Sequence, residues 1–519
     1  MAPEQLRGPR RFDRSTMLAE LADRTFDVVV VGGGLTGAGV ALDAASRGLR
    51  TALVERDDFS SGSSAHSAKL LHGGLRHLPD GDRRLITTAF GERRRLLANA
   101  AHLIEPLAFV MPSRGVDLGF ARTVDRMLWA YGLLEGRREH GHRHIDAAEA
   151  AALLPVLRDL DGGFLVDNAV IDDARLVLAL VRTACLDHAA TVVNHAEVVG
   201  VEHGASGRVA GVRVLADGDE FTVATRAVVN AGGVTTGEIA RLDGSVPTTH
   251  QETDRVTHVA VSASCLPFEA ATVLPGLPAV AVVPWGDVVL LGPVAVPADR
   301  VPPERAGVEA ILERVRETTT VSPGTDDIRS VTSALRPRRR ARRATPVRSA
   351  TGMVTVSAAT LTTYRMVAAD TVDAVVHQFA DDLDRWVVRR CRTADLPLRG
   401  TAGHDDVMTD PALGAAISGR LVRRHGGEAG AVMAMAAADG GERLTDRAPI
   451  LTAEVRYAAR YEMARTVADV LDRRTRLRMT DQGAAEAAAD RVAIVLGEEL
   501  GWDAPRVQAA ADDYRTVRL

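Results

Sequence analysis

The feature that most constrains this chain is a block near its start in which an apolar run, glycines and a carboxylate follow in order. Phe26-Asp27-Val28-Val29-Val30-Val31 leads into Gly32-Gly33-Gly34-Leu35-Thr36-Gly37, and Glu55 stands twenty-three residues after Gly32. Gly32 permits a tight turn out of a strand, Gly34 lets backbone N–H groups approach a pyrophosphate, and Gly37 lets the next helix pack closely on the sheet. That helix is predicted over Ala38 to Arg47 and ends at Gly48, a natural residue just past a helix. Its N-terminus offers free donors and the positive end of the dipole to phosphate. A second apolar run, Thr51 to Val54, delivers Glu55 to ribose hydroxyls, and an acidic residue there disfavours a 2′-phosphate. A glycine motif alone is weak evidence. Strand, glycines, helix, strand and Glu55 in register point to an adenine dinucleotide rather than to a chance glycine-rich turn.

A chain of 519 residues exceeds one ordinary core, so two or three folding units are expected. Its 46% hydrophobic and 25% charged content fits a globular protein, and a net charge of −5 gives no reason to expect nucleic acid. Cys185, Cys265 and Cys391 are far apart, with no metal-like spacing, and read as thiols in a reducing compartment. No apolar leader opens the chain, so a cytoplasmic location is expected. The apolar stretch Ala279 to Val296 is broken by Pro284, Gly286, Asp287 and Pro293, and reads as a strand pair rather than a membrane span. Contact with a membrane would then be peripheral, on the cytoplasmic face. Lys69, inside the most motif-like region, is the single lysine of the chain.

Along the chain, helices are expected around Ser15 to Leu21 and over Leu85 to Ala98. Thr191 to Val199 reads as one extended segment, followed by a hairpin of Val209 to Leu215 and Glu220 to Thr225 about Asp217-Gly218. Arg226 to Gly233 is again a buried strand ending in small residues. Residues from about 240 to 335, richer in strands and prolines, suggest a separate antiparallel layer. After Asp395-Leu396-Pro397-Leu398 the pattern turns helical to the end.

After Glu55-Arg56 comes a polar stretch, Ser60-Ser61-Gly62-Ser63-Ser64-Ala65-His66-Ser67-Ala68-Lys69-Leu70-Leu71-His72-Gly73-Gly74-Leu75-Arg76-His77. Its small hydroxyl residues can meet phosphates, Gly73-Gly74 can lie close to a planar ring, and Lys69, His72, Arg76 and His77 add polar groups. Here the chain resembles the FAD-dependent glycerol-3-phosphate dehydrogenases. Residues 32–78 follow the family's GGGxTGxGxAxDAxxRGLxxxLVE and SSxxSxKLxHGGLRYL blocks. Ile171 to Leu176, Leu396 to Leu398, Ala453 to Val455 and Asp469 to Arg476 match further segments, so the likeness runs from about Phe26 to Tyr514. It implies an α/β fold: a Rossmann-like FAD-binding domain with an inserted antiparallel substrate layer, plus a C-terminal all-α domain. The expected boundaries are a lead-in at 1–25, the oxidoreductase domain at 26–395 and helices at 396–519. FAD-binding parts are expected at about 26–110, 165–238 and 345–380, and substrate-side parts at about 111–164 and 239–344.

Family members oxidise the C2 hydroxyl of glycerol 3-phosphate, passing a hydride to flavin N5 and electrons to a quinone or oxygen. The resemblance implies FAD contacts from Gly32, Gly34, Leu35, Thr36, Gly37, Glu55, Arg56, Ser63, Ser64, Lys69, Leu70, His72, Gly73, Gly74, Val198, Ala231, Gly232, Thr360, Leu361 and Thr362. It places His258, Arg336, Arg76, Arg348 and His77 on the substrate side. His258 is the candidate base, although the proton can also leave through His77 or water, and the arginines suit a phosphate dianion. Partners implied are a small phosphorylated polyol and a quinone, with a homodimer left open.

Departures cluster at the expected substrate pocket. The family's lysine in GGKLTxYR is Thr360, after Ala358-Ala359; the tyrosine of GLRYL is His77; Val256, Thr235 and Pro293 replace other pocket residues. Loss of a charge-assisted contact costs about 1.5–3 kcal/mol. The alternatives are therefore weak turnover of glycerol 3-phosphate, a different hydroxy or amino substrate, or an impaired FAD-binding paralogue. The run Arg338 to Arg343 can meet anionic headgroups or simply be solvated.

Overall fold

The structure, a computed structural model, describes residues 12–71, 83–113, 142–245, 252–298, 303–338, 345–357, 359–379 and 388–516. The valines Val28–Val31 form a fully buried strand, as β-branched residues do in a parallel sheet covered on both faces. It pairs in parallel with Thr51–Val54 on one side and Val228–Asn230 on the other. Thr191–Val193 extends the sheet beyond the first neighbour and Val354–Thr355 beyond the second, with Val347–Arg348 antiparallel at the edge. The helix after the first strand runs Leu35–Ser46, three residues earlier than expected, and every residue in it is buried. It starts at Leu35 because Gly34 leaves the strand in an extended conformation and serves as its N-cap. Gly39 gives the Tyr364–Val376 helix room: a Cβ there would stand 3.0 Å from the Tyr364 ring.

The extended run 191–199 is two strands rather than one. Thr191–Val193 ends the parallel sheet, His195 turns at φ +49°, and Ala196–His203 opens a separate three-stranded sheet with Val209–Ala216 and Asp219–Ala224. Alternating apolar residues look alike in both strands, so sequence alone does not mark the break. Asp217 and Gly218, at φ +53° and +95°, form the expected hairpin turn.

The second large sheet has eight strands, in the order 328–337, 253–262, 288–297, 280–285, 271–274, 104–113, 162–171 and 142–145. The boundary between layers differs from expectation, because Ile104–Ser113 and Gly162–Ile171 pair here, antiparallel over ten residues. One face, including Val259, Val261, Val289 and Leu291, packs with Ile311 and Val315 of the Pro303–Thr318 helix. The opposite face carries Ala260, Val283 and Leu290 and meets Leu70 and Met479, so it looks toward the nucleotide sheet and the C-terminal helices. The C-terminal domain is helical apart from a small hairpin, Arg443–Thr445 with Ala448–Leu451.

The segment Asp469–Arg476 locks that domain onto the first. Buried Asp58 accepts Arg474 Nη1 at 2.6 Å, Arg474 Nη2 at 2.9 Å, Arg473 Nε at 2.6 Å and Asn194 Nδ2 at 2.9 Å. Asp469, also buried, accepts His195 Nε2 at 2.9 Å, Arg473 Nη2 at 2.8 Å and the backbone N–H groups of Arg465 and Thr466. Asp58, His195 and Asp469 lie close enough to hold a metal ion, but Arg473 and Arg474 already neutralise the carboxylates.

Burial lowers the His195 pKa and Arg14 adds to that, while Asp469 and Asp58 outweigh both and leave it above the ordinary 6.5. Stability from protonated His195 is thus full below pH 6.5 and is lost as pH rises through the raised value. Denaturant unfolding of His195→Asn against the unaltered chain should show its largest deficit below pH 6.5, shrinking as the solution becomes alkaline. A deficit independent of pH would remove the ion pair from the account.

Candidate active site

The three glycines of the opening block carry distinct constraints. Gly32 has φ +110°, and a Cβ there would lie 2.6 Å from the Ala231 carbonyl oxygen. At Gly37 a Cβ would come within 1.9 Å of the Gly32 carbonyl oxygen, so no side chain fits where helix meets strand. At Gly34 the nearest atom is Ser64 Oγ, 2.9 Å from a built Cβ, and that hydroxyl accepts the Leu35 N–H at 2.9 Å. Ser64 therefore caps the helix N-terminus from the following loop.

Glu55 ends its strand with Oε2 accepting the Gly33 N–H at 2.5 Å and Oε1 accepting the Asp57 N–H at 2.9 Å. Burial pushes its carboxyl above the ordinary range while the two N–H groups oppose the shift. Each oxygen keeps acceptor capacity for a ribose hydroxyl. A cleft of about 410 Å³ runs past Glu55, Arg56, Ser63 and Ser64, with Gly32, Gly34, Leu35 and Thr36 as its floor and Ala231 and Gly232 opposite. Arg56 is exposed at the rim beside Asp57 and Glu238. Val198 lines the cleft where a β-bulge leaves Val199 out of register, freeing local backbone groups for a planar ring. The elongated cleft, glycine floor, helix N-terminus and terminal carboxylate fit an adenine dinucleotide such as FAD.

The far end of the cleft reaches Val356 and Leu335. Thr36 Oγ1 accepts the Ala359 N–H at 3.1 Å, joining the glycine block to the segment that starts the Tyr364 helix. Within that segment Thr360 and Thr363 share a hydroxyl hydrogen bond of 2.7 Å, Leu361 is half-buried and Thr362 is buried.

Lys69 differs from the expectation of a side chain facing the cofactor. Its ammonium is buried, donating to Asp173 Oδ2 at 2.6 Å and to the Ala65 carbonyl at 2.7 Å. Burial lowers its pKa to about 8 with Arg476 adding to the fall, against the pull of Asp173. Burial also raises Asp173, but Lys69 and Arg476 prevail and hold it at about 2. Leu70 bridges to Val170 and packs against Ala260 and Leu290.

On the eight-stranded sheet His258 stands opposite Thr332, and Arg336 opposite Asp254. The two-residue period puts all four on one face, the face that meets Leu70. His258 is buried, and neither ring nitrogen has a hydrogen-bond partner among the described residues. Burial, with the positive charge of Lys69, His66 and Arg336, drives its pKa well below 6.5. Asp254 is taken by Arg338 at 2.7 Å, and Arg336 makes no hydrogen bond or ion pair with a described residue. Burial lowers the Arg336 pKa against the pull of Asp254. Arg348 lies exposed on the edge strand of the six-stranded sheet, not on the sheet that carries His258 and Arg336. Arg76, His77, His72, Gly73, Gly74, Ala358 and the basic run after Arg338 lie outside the described residues.

Sequence reasoning missed Asp173, Ser67 and Arg476 as site-shaping residues. Asp173 accepts Ser67 N–H, Ser67 Oγ, Lys69 Nζ and Arg476 Nη2 together. The signal available was the pair of matching segments that contain Asp173 and Arg476, with nothing local to join them.

Comparison with known proteins gives the family and the fold. Residues 27–361 match the family of FAD dependent oxidoreductases, and residues 391–507 match the C-terminal domain of alpha-glycerophosphate oxidase. A probable mitochondrial glycerol-3-phosphate dehydrogenase of Caenorhabditis elegans is 33% identical, over 99% of this chain and 76% of that protein. A glycerol-3-phosphate dehydrogenase of Mycobacterium leprae is 32% identical, over 99% and 91%. Among solved structures, the Bacillus halodurans glycerol-3-phosphate dehydrogenase complexed with FAD shares the fold, with a TM-score of 0.77, 23% identity and coverage of 97% and 96%.

Glu55→Gln keeps the side-chain length but removes the charge that accepts the Gly33 and Asp57 N–H groups. A charge-assisted hydrogen bond contributes about 1.5–3 kcal/mol, so FAD should bind roughly tenfold to a hundredfold more weakly in a fluorescence titration. Unchanged affinity would place the ribose elsewhere.

Proposed function

The chain belongs to the FAD-dependent glycerol-3-phosphate dehydrogenase family, and we propose that it oxidises sn-glycerol 3-phosphate at C2 to dihydroxyacetone phosphate. Bound FAD supplies the hydride acceptor, flavin N5. The residues of the chain supply the rest. Gly32, Gly34, Glu55, Ser64 and the bulged Val198 segment hold the dinucleotide.

The observation that carries the substrate side is a pair on one sheet face, His258 and Arg336, that hydrogen-bonds to no described side chain. Neither ring nitrogen of His258 has a hydrogen-bond partner among the described residues, and burial keeps the ring neutral at physiological pH, the form a general base needs. As the C2–H leaves as hydride, His258 takes the hydroxyl proton on a ring nitrogen. Arg336 is a partly desolvated cation that makes no ion pair with a described residue, Asp254 opposite it being held by Arg338, and a phosphate would offset the desolvation while meeting a planar fork of donors. Arg76, His77 and Arg348 complete the proposed substrate side.

Thr360 favours keeping a second reading. Its hydroxyl is engaged with Thr363, and it supplies no positive charge where the family's lysine stands. A flavin oxidoreductase acting on another hydroxy or amino substrate is that reading, and a catalytically impaired FAD-binding paralogue shares its motive.

Quinone is the acceptor that fits the family chemistry, with peripheral contact at the cytoplasmic face. No helix among the described residues is long and apolar enough to cross a membrane.

Anaerobic addition of sn-glycerol 3-phosphate should bleach the flavin absorption of the holoprotein. A bound flavin that keeps its colour would favour the second reading. In the same assay His258→Ala should slow bleaching about 10²–10⁴-fold, the usual loss on removing a general base. Thr360→Lys should lower the concentration needed for half-maximal bleaching by tenfold or more, the worth of one charge-assisted contact at about 1.5–3 kcal/mol. No change would mean that phosphate is already fully held by arginine.

A further inference from the structure

The loop between the glycine block and the substrate sheet is held from an unexpected direction. Arg476 lies in the C-terminal domain, 4% exposed, with its backbone at φ +65°. Its Nη2 donates to the Ala65 carbonyl at 2.9 Å and to Asp173 Oδ1 at 3.2 Å, and its Nη1 to the Asp472 carbonyl at 3.3 Å. From the loop itself Lys69, at φ +61°, reaches the same Ala65 carbonyl and the other oxygen of Asp173. Two cations on left-handed backbone thus converge on one carbonyl and one carboxylate. Such conformations are strained and persist where the surroundings over-determine them, typically at functional sites.

What this convergence fixes is the path of residues 64–71. At one end Ser64 caps the Leu35 helix, and just before the loop Asp58 is gripped by Arg473 and Arg474. At the other end the Leu71 N–H donates to the Ala169 carbonyl at 2.8 Å, and the Ile171 N–H to the Lys69 carbonyl at 3.0 Å. Leu70 then packs on the sheet face that carries His258. Among the described residues, the charged tie on the middle of this path is the Ala65–Ser67–Lys69–Asp173–Arg476 cluster.

We propose that Arg476 is a positioning residue for the flavin site, through which the C-terminal domain sets the loop from Ser64 to Leu70 against the cofactor. The proposal rests on the FAD site described above but not on the identity of the substrate. Its readout is flavin binding, which a failure of glycerol 3-phosphate oxidation would leave intact.

The test compares full-length Arg476→Met and Arg476→Lys with Arg456→Met. Arg456 pairs with Asp439, Glu498 and Glu499 inside the C-terminal domain and touches nothing in the loop. Each protein is freed of flavin, titrated with FAD by fluorescence, and unfolded thermally as holoprotein. Arg476→Met should weaken FAD about tenfold or more, equivalent to about 1.4 kcal/mol, and alter the shape of the flavin absorption band. Arg456→Met should lower Tm while leaving FAD affinity unchanged. Arg476→Lys keeps the charge, but one ammonium cannot serve Ala65, Asp173 and Asp472 at once, so its FAD affinity should fall between the two at nearly unaltered Tm. If Arg476→Met loses Tm as Arg456→Met does yet binds FAD as the unaltered chain does, the residue is only a staple and the proposal fails. If Arg476→Met does not fold, Arg476→Lys decides alone: weaker FAD at preserved Tm supports the proposal, and unchanged FAD affinity overturns it.

Discussion

Asp58 and Asp173 are carboxylates of the nucleotide-binding half, both almost wholly buried, and their counter-charges come in large part from another domain. Burying an ion costs several kcal/mol after relaxation, and removing one partner of a buried pair destabilises by about 3–5 kcal/mol. Asp58 depends on Arg473 and Arg474, while Asp173 shares its charge between Lys69 and Arg476. The C-terminal helices are therefore part of what makes the cofactor loop possible, and the charges that join the domains flank the residues that meet the cofactor. A chain cut after the oxidoreductase domain would lose both arginines of Asp58 and leave Asp173 with Lys69 as its counter-charge.

On that frame the two halves of the site meet different demands. The cofactor side is built from close approach: Gly37 on the Gly32 carbonyl, Gly34 beside Ser64, Glu55 on two backbone N–H groups. Little in it can change without loss of the turn. The proposed substrate side draws on His258 and Arg336, which hydrogen-bond to no described residue on their sheet face, with the uncharged Thr360 where the family has a lysine. Side chains there can be exchanged without disturbing the strands that carry them. This explains how the substrate motifs can differ from the family pattern while the glycine block does not.

What was legible in the sequence was local. The turn at Gly32, the acidic end of Thr51–Val54 and the Asp217-Gly218 hairpin each declare themselves within a few residues. The break at His195 did not, because both flanking strands alternate in the same way and the turn uses a non-glycine residue at positive φ. The resemblance implies a cofactor contact from Lys69, and the counter-charge of its ammonium, Asp173, which also binds Arg476, lies far along the chain. A charge finds its counter-charge by tertiary packing, and no spacing rule announces that. His258 and Arg336 became interpretable only when the register placed them on one face.

The proposed reaction removes hydride from C2 of glycerol 3-phosphate while His258 takes the hydroxyl proton. It is tested most directly by the rate of anaerobic flavin bleaching in a rapid-mixing experiment, with substrate carrying hydrogen or deuterium at C2. The account predicts a clearly slower single-turnover rate with deuterium, since breaking that bond is the step the site is built to promote. Equal rates with the two substrates, or no bleaching with either, would contradict it.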